Sequence, residues 1–211
     1  MNQIGNSMPH SIDIIKVSAH VDQIHNVDFN NICEESYELP KILKDVPLGS
    51  YEKSIKGYPF YSFPKTETFD QLYKQIEETA NKVLPIKVRV YETWVAIIEP
   101  GQSVAYHTHY KNSHVVPEHH WSGVVFANAN DGSAELILHG YAFNRIESFI
   151  SITPEVGKVV FFNSFVPHFT TVNASDTRRV TISFNLWPVD CDVEVFPNNH
   201  KISPDNYGEP K

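Results

Sequence analysis

The stretch Arg179-Val180-Thr181-Ile182-Ser183-Phe184-Asn185-Leu186 alternates polar and apolar residues without a break. A period of two is the side-chain repeat of a β-strand, which sends successive side chains to opposite faces. One face then carries Val180, Ile182, Phe184 and Leu186, and the other carries Arg179, Thr181, Ser183 and Asn185. On a sheet with one wet face the arginine would point to water. In a small barrel with a site inside, the polar face points inward, where a guanidinium can hold a carboxylate through two parallel hydrogen bonds. What the rest of the chain brings to this strand decides between the two.

From residue 86 onward the chain reads as short β-rich segments separated by turn chemistry. Candidate strands cover 87–98, 103–108, 123–127, 134–138, 158–162, 168–172 and 179–186. Turns fall at Pro100-Gly101, Asn130-Asp131-Gly132, Pro154-Glu155-Val156-Gly157 and Ser175-Asp176. Short strands in succession, with no helices between them, indicate a mainly β jelly roll with helices packed outside. One helix is clear near 67–84: Phe69, Leu72, Tyr73, Ile76, Ala80, Val83 and Leu84 recur at helical intervals, and Pro85 stops them. Before it, prolines at 9, 40, 47, 59 and 64 break the chain, leaving room for a strand near 12–17 and a short helix within 27–44. The expected organisation is an N-terminal extension (1–65) packed on the barrel, a jelly-roll core with its supporting helix (66–190) and a C-terminal tail (191–211).

Composition excludes several classes. The 211 residues carry 17 Lys+Arg against 25 Asp+Glu, a net charge of −8, with no basic run. That argues against nucleic acid and against an anionic membrane surface as partners. The longest wholly apolar run, Trp94-Val95-Ala96-Ile97-Ile98, is far too short to span a bilayer. Two cysteines, Cys33 and Cys191, fit a reducing compartment, and the expected location is the cytoplasm. Phosphate-binding, dinucleotide-binding and nucleophile-elbow glycine motifs are absent. The sequon Asn173-Ala174-Ser175 reads as chance, and the adjacent pairs Glu34-Glu35 and Glu77-Glu78 diverge on a helix, which disfavours paired acid–base work.

Eleven histidines remain to be placed. In His107-Thr108-His109 the two imidazoles stand at i and i+2, the same face of a strand. His168 opens another candidate strand after Val166-Pro167, shortly before Arg179. Three histidines and an arginine in this order suit a metal plus a dicarboxylic co-substrate, which favours the inward reading of Arg179. The segment 110–121 holds His114, Glu118, His119 and His120 and is either a loop over the site mouth or the source of a ligand that replaces His107 or His109. Tyr106, Tyr110 and Trp121 are core or an aromatic wall for substrate, and Trp94 is expected to be packing. His10, His20, His25, His139 and His200 lie outside ligand spacing and read as surface residues.

Taken together, Trp94, Pro100-Gly101, His107-Thr108-His109, Ser122-Gly123-Val124, Pro154, Gly157, Phe161-Phe162, His168 and Arg179-Val180-Thr181-Ile182-Ser183-Phe184-Asn185 resemble the 2-oxoglutarate/Fe(II)-dependent oxygenases. The resemblance spans about 87–186. It implies a double-stranded β-helix, Fe(II), 2-oxoglutarate as co-substrate and O₂ as oxidant. It further implies His107, His109 and His168 as metal ligands, with Arg179 and Thr181 on the remote carboxylate of the co-substrate. The implied activity is hydroxylation of a small-molecule or peptide substrate. The superfamily at large has a carboxylate where His109 stands, so this site is one negative charge poorer. Two other readings stay open: a cupin-like three-histidine metalloenzyme that does not use 2-oxoglutarate, and a non-catalytic jelly-roll binding module.

Overall fold

The computed structural model describes residues 19–42, 60–62, 66–109, 120–141 and 147–189. Nine strands and two helices follow in the order β1 (Ala19–Gln23), α1 (Phe29–Ile42), β2 (Phe60–Ser62), α2 (Glu67–Val83), β3 (Val88–Ile98), β4 (Trp121–Phe126), β5 (Leu136–Tyr141), β6 (Glu147–Ile152), β7 (Lys158–Asn163), β8 (His168–Thr170) and β9 (Arg179–Pro188). Six strands form one antiparallel sheet in the order β1-β7-β4-β9-β3-β2, and three form a second in the order β6-β5-β8. This is the expected mainly β jelly roll, with the helices outside.

The alternation of β9 is resolved by a third layer. Val180, Ile182, Phe184 and Leu186 pack with Phe69, Leu72, Ile76 and Ala80 of α2, so the apolar face of β9 looks outward to the helices. The polar face looks between the two sheets, where Val124, Phe126, Leu136, Leu138, Val160 and Phe162 form a separate cluster. Both faces of β9 are therefore buried, and Arg179 is only 3% exposed. The helix that covers it begins at Thr66, whose hydroxyl accepts from the Phe69 amide, and carries Glu67 and Asp70 in its first turn, where the helix dipole favours negative charge.

Two glycines of the motif set are explained by space and backbone. A Cβ on Gly123 would lie 2.3 Å from the Val160 carbonyl oxygen and 2.4 Å from Phe184 Cζ, so only glycine lets β4 lie against its neighbours there. Gly157 turns at φ +79 into β7, a conformation that glycine adopts without a Cβ clash.

Some expectations shift. The short helix expected within 27–44 is α1, and the segment 103–108 is not a strand: within it only His107 makes a bridge, to His168. Val104 instead gives its N–H to the Thr170 hydroxyl, a side-chain bond that replaces a ladder bond. β6 is an exposed edge strand in which Ile152 is the buried residue among 148–152, so it lacks an alternating apolar signal and is not among the expected strands. β1 pairs with β7 across more than 130 residues of sequence. The strand expected near 12–17 lies outside the described residues.

Candidate functional site

His107 and His168 exchange backbone hydrogen bonds in both directions, at 3.0 and 2.9 Å, and the His109 amide donates to the Ser164 carbonyl. These bonds dock the 103–109 segment against β8 and set three imidazoles facing one another. One ring nitrogen from each lies within 4.8 Å of the others, and His107 Nε2 stands 3.2 Å from His109 Nε2. Two nitrogens held about 2.1 Å from one ion at a right angle stand about 3 Å apart, so the spacing fits a shared metal.

The protons point the other way. His107 Nδ1 faces the Ala105 carbonyl at 2.7 Å, His168 Nδ1 faces the Val166 carbonyl at 2.9 Å, and His109 Nδ1 faces Asn185 Oδ1 at 3.1 Å. All three partners accept hydrogen bonds, so each ring carries its proton on Nδ1 and turns the Nε2 lone pair inward. Burial, reinforced by charge on His107, pushes the His168 pKa down to about 3, and burial lowers that of His107. Both are neutral at pH 7, the form that binds metal. Converging lone pairs with no proton between them suit a cation.

Arg179 and Thr181 line the same cleft as the three histidines, together with Trp94, Val104, Phe126 and Leu136. The guanidinium lies 5.5 Å from the Phe126 ring and donates through Nη1 to the Ala134 carbonyl. The Thr181 hydroxyl is buried with no hydrogen-bond partner among the described residues. A buried cation and a buried hydroxyl on one apolar-walled cleft fit the far carboxylate of a dicarboxylic acid.

Of the other sequence candidates, Trp94 packs edge-on against the His109 ring at 5.1 Å and lines the cleft. His120 lies apart from the triad, against Trp187 at 4.8 Å, while Tyr110, His114, Glu118 and His119 lie outside the described residues, as do His10, His200 and Cys191. Trp121 is core, and Tyr106 is half exposed. His139 is not a surface residue: it is buried, stacked on Phe149 at 4.3 Å, with Nδ1 2.7 Å from the Tyr106 hydroxyl. Asn173 is fully buried and donates to two carbonyls, and burial raises the Cys33 thiol to about 11. Asn185, which faces His109, and its hydrogen-bond partners Glu92 and Ser122 have no local signal as a group, because cross-strand pairing assembles them.

Residues 92–185 match the model of a family described as "Putative 2OG-Fe(II) oxygenase". No curated protein matches. Among solved structures, a Pseudomonas putida prolyl-4-hydroxylase aligns at TM-score 0.57 and 15% identity, over 81% of this chain and 92% of that one. The viral collagen prolyl hydroxylase of Paramecium bursaria Chlorella virus-1, in complex with 2-oxoglutarate, aligns at 0.54 and 14%, over 81% and 96%. The non-haem α-ketoglutarate-dependent epimerase SnoN of nogalamycin biosynthesis aligns at 0.61 and 12%, over 76% and 72%. At these identities the structures share the fold. Family match, fold and the convergent histidines agree: the chain resembles the 2-oxoglutarate/Fe(II)-dependent oxygenases, and its residues fit the cofactor pair of that family.

Proposed function

We propose that the protein is a 2-oxoglutarate- and Fe(II)-dependent hydroxylase, with His107, His109 and His168 holding the metal and Arg179 and Thr181 holding the co-substrate. The observation that carries this reading is a single cleft lined by both the three histidines and the buried Arg179. Bound Fe(II) and 2-oxoglutarate supply the chemistry, in which O₂ inserts one oxygen into a substrate C–H bond and the other into succinate, with loss of CO₂.

The chain supplies position and dryness. Three side-chain ligands leave the remaining positions on the ion open, as this chemistry requires. Arg179 pairs with the remote carboxylate in a low-dielectric cleft, where Thr181 donates its hydroxyl and Phe126 and Leu136 exclude water. Ala105, Val166 and Asn185 keep the three rings in the tautomer that presents Nε2. The proposed substrate is a small molecule or a peptide, and the acidic chain disfavours nucleic acid. Among the described residues no helix is long and apolar enough to cross a membrane, and a cytoplasmic location accords with the two cysteines.

The test is aerobic release of succinate from 2-oxoglutarate by the Fe(II)-loaded protein. Arg179→Ala should raise the 2-oxoglutarate requirement about 100-fold, the order expected for losing a charge-assisted pair. Metal binding should be unchanged. No succinate from the wild type, or an unaltered requirement in the variant, rejects the reading; metal binding without any response to 2-oxoglutarate transfers it to the cupin-like class.

A further inference from the structure

Asn185 sits at the centre of a hydrogen-bonded chain whose direction is forced. On one side its Nδ2 donates to Glu92 Oε2 at 2.9 Å. A carboxylate only accepts, so the amide must turn its NH₂ toward Glu92 and its oxygen the other way. That oxygen, Oδ1, receives the Ser122 hydroxyl at 2.7 Å and faces His109 Nδ1 at 3.1 Å. Ser122 Oγ in turn accepts from Ser164 Oγ at 2.7 Å. With the amide oxygen pinned toward the ring, His109 must carry its proton on Nδ1, which frees Nε2 to face His107 and His168.

Sheet register makes the arrangement a built one. Asn185 on β9 is flanked directly by Glu92 on β3 and by Ser122 on β4. The pairing of β3 with β9 shifts between Val90 and Glu92, which leaves Tyr91 as the extra residue of a bulge. If regular pairing continued from Val90–Leu186, Tyr91 would oppose Asn185 and Glu92 would oppose Phe184, on the face that packs against the helices. The bulge re-aims a carboxylate toward the site, as bulges beside functional sites do.

We propose that Glu92 and Asn185 are positioning residues that set the His109 tautomer and pass part of the Glu92 negative charge to the metal site. The inference rests on the metal reading of the three histidines. It bears on the missing carboxylate: where the superfamily places a negative ligand on the metal, this chain places Glu92 two hydrogen bonds behind a neutral one. Such outer partners raise ligand basicity and typically change metal affinity 10–100-fold.

The test uses the full-length, metal-free protein labelled with ¹⁵N-histidine, and then Co(II) as the probe metal. In the wild type the His109 signals should report a proton on Nδ1. Asn185→Leu should mix the two tautomers and weaken Co(II) binding 10–100-fold, with His107 and His168 signals retained as the control for folding. Glu92→Gln keeps the shape and removes the charge; its amide can face Asn185 either way, so His109 should show a partial tautomer mixture and Co(II) should bind several-fold more weakly. An unchanged His109 tautomer in both variants overturns the proposal, as does a wild-type proton on Nε2. If wild-type His109 carries Nδ1–H but Co(II) does not bind, the metal reading itself fails, and the transfer of charge to a metal fails with it.

Discussion

Two buried histidines on neighbouring strands have opposite surroundings. His168, on β8, is 4% exposed and His139, on β5, is 6% exposed. Leu138, beside His139 in sequence, pairs with His168, so the strand alternation sends the two rings to opposite faces of the same small sheet. His168 meets two further imidazoles and the buried Phe162 ring, at 4.7 Å. His139 meets Tyr106 and Phe149, the latter 55% exposed. Burial alone therefore does not mark a ligand. What separates the two is that the Nδ1 proton of His168 goes to a backbone carbonyl and its Nε2 joins a convergent set, whereas His139 commits its Nδ1 to a side chain in an aromatic cluster.

The largest effect that would break this comparison comes from exchanging the roles. His168→Ala should abolish tight divalent-metal binding, a loss of at least 100-fold, because two remaining imidazoles cannot close the site. His139→Phe should leave metal affinity within about twofold and cost about 1 kcal/mol of stability, from the lost bond to Tyr106. Calorimetric metal titration and urea unfolding of both variants measure the two quantities; equal metal loss in both would dissolve the distinction.

A smaller effect sharpens it. Native His168 stays neutral down to about pH 3, whereas an unfolded histidine takes up its proton near pH 6.5. Between those values the unfolded chain binds more protons than the native one, so the metal-free protein loses stability as pH falls below about 6.5, and the loss levels off near 3. Urea midpoints should drop by the equivalent of about 1–2 kcal/mol between pH 7 and pH 5, and less in His168→Gln. A pH-independent midpoint would show that the imidazole is hydrated or paired with a carboxylate.

The parts of the site legible in the sequence were those with a local signature. His107 and His109 declare themselves by spacing, His168 by opening a strand after Val166-Pro167 and Arg179 by strict alternation on β9, whereas Thr181 as a co-substrate contact comes only from the family resemblance. α2 was legible because seven apolar residues keep the helical period and a proline follows them. What stayed hidden is set by register. Glu92 reaches Asn185 only through a bulge, Ser122 reaches it from β4, and neither placement follows from residues near them in the chain. Trp94 reads as packing because its neighbours Val95, Ala96, Ile97 and Ile98 are core, and the alternation of β3 turns it toward His109. His139 looked exposed because nothing local announces that Phe149, on an edge strand, stacks over it.

Under the proposed reading, three imidazoles and Arg179 form one site for a metal and a dicarboxylic co-substrate. Anaerobic addition of Fe(II) and then 2-oxoglutarate to the metal-free protein tests it most directly, read by the weak visible metal-to-ligand charge-transfer band of the ternary complex. The account predicts a band in the wild type that appears only after 2-oxoglutarate, needs far more co-substrate in Arg179→Ala and is absent in His168→Ala. A wild-type protein that binds Fe(II) yet shows no band at any 2-oxoglutarate concentration would contradict it.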